Sequence, residues 1–121
     1  VEAKNIENCR MTLAVAINYG GRDELVKAMR KIAQKVKYGE MDIDKIDAGT
    51  ISDNLYTYNM PDPDLIIRPS GEFRTSNFLL WQSAYSEYVF MDNLLWPDFK
   101  PSDLDSAIEQ YNKRNRRFGG I

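Results

Sequence analysis

The sequence predicts an α/β fold, a mostly parallel sheet with flanking helices. Three observations carry that prediction. Met11–Asn18 is a nearly continuous apolar run, the pattern of a strand covered on both faces of a parallel sheet. Tyr19-Gly20-Gly21 turns the chain, and an amphipathic helical stretch follows, giving half of a βαβ unit. Two further apolar runs, Leu65–Ile67 and Tyr88–Phe90, alternate with helical patterns.

The elements follow in order. Asp23 precedes a helix in which Leu25, Met29, Ile32, Ala33 and Val36 share the apolar face, with Lys27, Arg30, Lys31 and Lys35 opposite. Residues 40–63 are polar connection, within which Thr50 can cap a short helix over Ile51–Tyr58. Asp42, Asp44 and Asp47 have the look of a calcium loop, but the glycine and closing glutamate are missing, so a solvated acidic turn is the better reading. Pro61-Asp62-Pro63 sets an extended entry into the second strand. Ser76 stands at an N-cap position, and Asn77–Ser86 reads as a helix apolar nearly all round. Tyr88–Phe90 is the third strand, and Trp96–Phe99 is loop. Ser102 and Asp105 open the last helix, with Leu104, Ile108, Tyr111 and Asn115 on one face and Gly119-Gly120 closing it.

Composition narrows the function. The 121 residues suit one domain, and 43% apolar residues suffice for a core. A net charge of −2 argues against nucleic acid as a partner. The lone Cys9 rules out an intrachain disulfide and fits a reducing, cytoplasmic setting. The absence of histidine removes Ser-His-Asp and Cys-His catalysis and most catalytic zinc sites. No run reaches the ~18 apolar residues of a membrane span. Val1 is not an initiator methionine, and the opening residues read as a cut, so a fragment is expected.

The chemistry concentrates between Asp64 and Glu87. Arg68 ends a buried strand, and in open α/β sheets ligands bind beyond the carboxyl ends of strands. Arg68 and Arg74 offer planar forks suited to phosphate oxygens. Gly71 allows close backbone approach, and Ser76 adds a hydroxyl at a helix mouth whose amides carry partial positive charge. Together these make a plausible grip for a diphosphate. The plainer alternative pairs Arg68 with Glu72 and leaves Arg74 solvated. Glu87 is either a ligand for a hard divalent cation such as magnesium or a surface carboxylate. The glycines of Tyr19-Gly20-Gly21-Arg22 are a weaker phosphate candidate, with Arg22 structural. The apolar stretch around Trp81 serves as core, as a dimer interface or, ranked last, as an isoprenoid pocket. No Gly-x-x-x-x-Gly-Lys-Ser/Thr loop is present, which disfavours a nucleotide-binding kinase-like domain.

These residues, taken with Asn18-Tyr19-Gly20-Gly21-Arg22, Asp64–Arg68, Gly71–Gln82, Tyr85-Ser86-Glu87, Trp96–Phe99 and Arg116–Gly120, resemble the cis-prenyltransferases, and among them bacterial undecaprenyl diphosphate synthases. The resemblance implies that residues 1–121 are the C-terminal portion of such a domain, without its N-terminal half. It implies that Arg68, Arg74 and Ser76 hold the diphosphate of isopentenyl diphosphate. Arg117 and Gly119 would reach the same site in a dimer mate, and Glu87 would serve a magnesium ion (Mg2+). The Asp-Gly-Asn-Gly-Arg loop that binds the allylic diphosphate in the family is absent. The implied function is Mg-dependent condensation of isopentenyl diphosphate onto an allylic diphosphate, giving a cis-polyprenyl (undecaprenyl) diphosphate, a cell-wall precursor. The enzyme would be a cytoplasmic homodimer touching the membrane through its product. This chain alone would be inactive. The alternative is a non-catalytic partner subunit or dimerisation module of such a complex.

Overall fold

The computed structural model describes residues 11–114, arranged as three α-helices and a two-stranded parallel sheet. The α/β prediction holds. Strand β1 (Leu65–Arg68) pairs with β2 (Glu87–Phe90) in parallel, Leu65 opposite Glu87 and Arg68 opposite Phe90. Two loop contacts fix this register from below. The Glu87 amide donates to the Asp64 carbonyl at 2.9 Å, and the Ser86 hydroxyl donates to the Pro63 carbonyl at 2.5 Å. Val89 is fully buried at the centre.

Helix α1 (Gly21–Lys37) forms as its pattern predicts, with Asp23 and Glu24 in its first turn and Lys35 and Lys37 in its last, complementing the helix dipole. Its inward face differs from the expected one. Glu24, Ala28 and Ile32 are buried, whereas Met29 is 66% exposed. The stripe is rotated because three hydrogen bonds draw Glu24 inward. Helix α2 (Ala48–Ser52) starts earlier than expected and is shorter. Asp47, not Thr50, is the cap. Its carboxylate accepts from the Thr50 amide at 2.7 Å, while the Thr50 hydroxyl accepts from the Asp47 amide at 3.3 Å, a reciprocal box. Asp42 caps the adjoining 3₁₀ turn, Ile43–Lys45, by accepting from the Asp44 amide at 3.1 Å. Those acidic residues therefore organise turns, as the solvated reading expected.

Two predicted elements do not form. Met11–Asn18 joins no ladder among the described residues and bends at Ile17-Asn18, where Asn18 has φ 52°, and Leu13 and Ile17 are 79% and 85% exposed. An apolar run specifies a strand only when a neighbour supplies its hydrogen bonds. Asn77–Ser86 is a succession of turns rather than a helix. Positive φ at Asn77 (65°) and Leu79 (48°) interrupts it twice, after Ser76 (48°) just before it, and left-handed backbone cannot continue a right-handed helix. The turns pack Gln82 and Ser83 inward, and the Trp81 indole donates to the Ser52 hydroxyl at 3.0 Å.

Helix α3 (Pro101–Asn112) lies on β2 through the buried Ala107. It begins at Pro101, ahead of the expected Ser102 cap. Proline fits the first helical position, and the Asp103 carboxylate accepts from the Lys100 amide at 2.7 Å. The Trp96–Phe99 loop contains a 3₁₀ turn, Trp96–Asp98. Asn115 and the closing glycines lie outside the described residues.

A pH prediction follows from the caps. The Thr50 amide holds the Asp47 carboxyl below its usual value of 3.8. A depressed carboxyl stabilises the fold above its unfolded pKa and loses that contribution as pH falls through the folded value. Tyr19 behaves oppositely. Burial, and then its hydrogen bond to Glu24, raise its phenol above the ordinary 10.0. Its contribution is complete below pH 10 and is lost at higher pH. Thermal unfolding followed from pH 3 to 11 should show Tm falling at both ends, with Tyr19→Phe lessening the alkaline fall, to which Lys27, raised by its hydrogen bond to Asp23, also contributes.

Candidate functional site

The site begins at the carboxyl end of β1. Arg68, its last residue, is three-quarters buried, its side chain 23% exposed. Its Nη2 donates to Glu72 Oε2 at 2.5 Å and to Ser76 Oγ at 3.1 Å. Arg74 Nη2 meets the other Glu72 oxygen, Oε1, at 2.6 Å. Both guanidiniums therefore converge on one carboxylate, one on each oxygen. The pairing of Arg68 with Glu72 is the one the plainer alternative expected. Arg74 joins it, and the three predicted residues form a single cluster. Glu72 occupies the place of an anion between two arginine forks. Arg68 first, and then Arg74, hold its carboxyl below the ordinary value of 4.5.

Beside this cluster lies a cavity of about 290 Å³. Arg68, Ser70, Arg74 and Thr75 line its polar side; Ile67, Phe78, Tyr88 and Trp96 line its apolar side. A cationic rim with an aromatic wall suits a small phosphorylated ligand that carries a short apolar tail. The turn that returns the chain to this cavity is shaped by left-handed backbone at Ser70 (φ 77°) and Gly71 (φ 66°). The Gly71 amide donates to the Met91 carbonyl at 3.1 Å, which ties this turn to the end of β2. The helix dipole expected behind Ser76 is absent, since residues 77–86 form turns.

Gly20-Gly21 serves packing. A Cβ on Gly21 would sit 2.9 Å from Leu80 Cγ, and one on Gly20 would sit 2.9 Å from Asn77 Nδ2. The two glycines admit the loop that carries Ser76 rather than a phosphate.

These features accompany a sequence match along nearly the whole chain. The prenyltransferase family model described as undecaprenyl diphosphate synthase matches residues 1–119. The chain belongs to this family. An isoprenyl transferase of Zymomonas mobilis is 54% identical over 114 residues, 94% of this chain and 46% of that protein. The ditrans,polycis-undecaprenyl-diphosphate synthase ((2E,6E)-farnesyl-diphosphate specific) of Micrococcus luteus is 49% identical over 118 residues, 98% of this chain and 47% of that one. The crystal structure of lavandulyl diphosphate synthase from Lavandula x intermedia, in complex with dimethylallyl diphosphate, superposes with a TM-score of 0.82 at 45% identity. It covers 86% of this chain and 44% of that one. The chain thus spans about half the length of the curated relatives it matches.

Of the remaining expected site residues of this family member, Arg117 and Gly119 lie outside the described residues. Glu87 stands apart from the arginines. It opens β2 opposite Leu65, whereas Arg68 closes β1 opposite Phe90, a separation along the sheet of roughly 10 Å. It is not at a helix end, and its Oε2 accepts from Arg114 Nη1 at 2.8 Å. No cluster of three metal-ligating side chains occurs among the described residues.

Sequence reasoning missed Glu24. It is 1% exposed, and it accepts from the Tyr19 hydroxyl at 2.5 Å, the Tyr56 amide at 2.7 Å and Gln82 Nε2 at 3.1 Å. Gln82 also donates to Thr57 Oγ1 at 2.9 Å. The carboxylate thus ties α1, the chain after α2 and the turns behind the site together. The available signal was position: Glu24 shares the i, i+4, i+8 stripe of Ala28 and Ile32.

Proposed function

We propose that this chain carries the isopentenyl diphosphate side of a cis-prenyltransferase that extends an allylic diphosphate to an undecaprenyl-class product. The observation that carries the reading is the convergence of Arg68, Arg74 and Ser76 at the carboxyl end of β1, beside a cavity with an aromatic wall. In this reading the two guanidiniums exchange Glu72 for the diphosphate, and Ser76 donates its hydroxyl to a phosphate oxygen. Phe78, Tyr88 and Trp96 shelter the five-carbon end. The allylic carbon–oxygen bond breaks, the isopentenyl double bond attacks the allylic carbon, and a proton leaves the isopentenyl unit. Among the described residues the cavity lining contains no carboxylate, so a substrate diphosphate is assigned as proton acceptor. The chain's contribution is positioning and stabilisation of charge.

The length shared with relatives and the Met11–Ile17 run, unpaired among the described residues, support a site completed by further sequence in a whole synthase, with this chain inactive alone. Magnesium belongs to the proposed activity of that whole enzyme, where it would neutralise diphosphate charge. Within the described residues Glu87 alone, held by Arg114, does not make a magnesium site, and no step is routed through the ion. The homodimer, the cytoplasmic location and membrane contact through the product are part of the same proposal. The exposed Phe78 and Tyr85 (42% and 67%) support a dimer face near Trp81.

Calorimetry tests the reading. Isopentenyl diphosphate added to folded chain should give a weak, saturable heat, with no polymer formed when an allylic diphosphate and magnesium are added. A folded sample giving no diphosphate-dependent heat would refute it and favour a non-catalytic dimerisation module.

A further inference from the structure

We propose that Asn77 is a positioning residue that sets the diphosphate grip by capping helix α1 from the far side of the chain. The N-cap of α1 is Gly20, which has no side chain to satisfy the first helical amides. Asn77 satisfies them instead. Its Oδ1 accepts from the Arg22 amide at 2.9 Å, across 55 residues of sequence, and its carbonyl accepts from the Gly21 amide at 2.7 Å.

Both bonds require close approach, and Gly20 and Gly21 provide it. A Cβ on Gly21 would fall 3.1 Å from the Asn77 carbonyl oxygen as well as 2.9 Å from Leu80 Cγ. The cap in turn fixes backbone that non-glycine residues rarely adopt, φ 48° at Ser76 and 65° at Asn77. Asparagine tolerates that conformation better than most residues. The turn so fixed brings Ser76 Oγ to Arg68 at 3.1 Å, with Arg74 two residues before it. The amides at the α1 N-terminus are therefore engaged in aiming the loop rather than in binding an anion. The identity of what the loop grips rests on the function proposed above; the aiming itself does not.

Two readouts on the chain separate these levels. The first is the rate of trypsin cleavage at Arg74–Thr75 relative to Lys45–Ile46, a site remote from the loop. The second is the affinity for inorganic pyrophosphate by calorimetry. Asn77→Ala should accelerate cleavage at Arg74–Thr75 by about five- to tenfold, leave Lys45–Ile46 unchanged, and weaken pyrophosphate by a similar factor. Asn77→Asp keeps the acceptor and adds charge that suits a helix N-terminus, so it should restore both. Gly21→Ala should reproduce the alanine phenotype with Asn77 intact, and it decides the matter should Asn77→Ala fail to fold. Equal acceleration at both cleavage sites, or wild-type behaviour of Asn77→Ala and Gly21→Ala, would overturn the proposal. Absence of pyrophosphate binding by the wild-type chain, with cleavage at Arg74–Thr75 still responding to Asn77, would sink the diphosphate reading and leave the positioning role standing.

Discussion

Arg68→Ala is expected to weaken isopentenyl diphosphate binding by about 10- to 100-fold, the range of one lost charge-assisted contact to a partly desolvated anion. Arg74→Ala should cost less, about three- to tenfold, because solvent screens an exposed charge. The two side chains differ in the way that matters: Arg68 is 23% exposed and Arg74 is 63% exposed. Arg68 also touches both Glu72 and Ser76 through Nη2, so its loss releases the hydroxyl as well as the charge. Arg68→Lys should not restore affinity, since a point charge cannot bridge two oxygens as the planar fork does. Titration of each variant against isopentenyl diphosphate checks the ordering. Equal, small effects at both positions would mean that the ligand binds elsewhere.

Glu72 gives the same site its resting state. Two guanidiniums brought together without an anion would repel, and the carboxylate between them removes that repulsion before a ligand arrives. Its depressed pKa keeps it ionised well below neutrality, so in the proposed function a diphosphate would compete with it. Affinity in the isolated chain is therefore the difference between two anions on one pair of forks, which is why only weak binding is expected.

Strand-forming runs were legible wherever their partners were near. Leu65–Ile67 and Tyr88–Phe90 are apolar, bounded by proline and turn residues, and the strands they form, each one residue longer, pair with each other. Met11–Asn18 has the same local pattern, yet pairing is a non-local fact that no pattern within the run encodes. The apolar stretch 77–86 has helical length. What interrupts the helix is left-handed backbone at Asn77 and Leu79, and the partner that engages Asn77 lies 55 residues away, which composition cannot reveal. At the site, the clustering of Arg68, Arg74 and Ser76 was readable because the strand end and the short loop after it keep the three within eight residues of one another. Glu72 was readable only as a pairing partner at i+4. Glu24 stayed hidden, since its importance lies in partners 5, 32 and 58 residues distant.

Glu24→Ala is expected to be the most destabilising single substitution among the described residues. It would leave the Tyr56 amide, the Tyr19 hydroxyl and Gln82 Nε2 without their acceptor at one buried point. An unpartnered buried donor costs about 1–3 kcal/mol. The tyrosine hydroxyl can turn to water, so a total of about 3–4 kcal/mol is expected, or roughly 10–20 °C in Tm for a chain of this size. The apolar core available to absorb that loss is small: among the described residues Ala28, Ile32, Leu55, Val89 and Ala107 are its buried hydrophobic members. Glu24→Gln should cost less. Gln82 Oε1 is buried with no partner, and it could accept from the introduced amide nitrogen while the introduced carbonyl oxygen keeps one donor. Thermal denaturation of the two variants distinguishes the accounts. If Glu24→Gln and Glu24→Ala lose the same Tm, charge is what the position requires. If neither changes Tm, the carboxylate does not hold α1 against the turns behind the site.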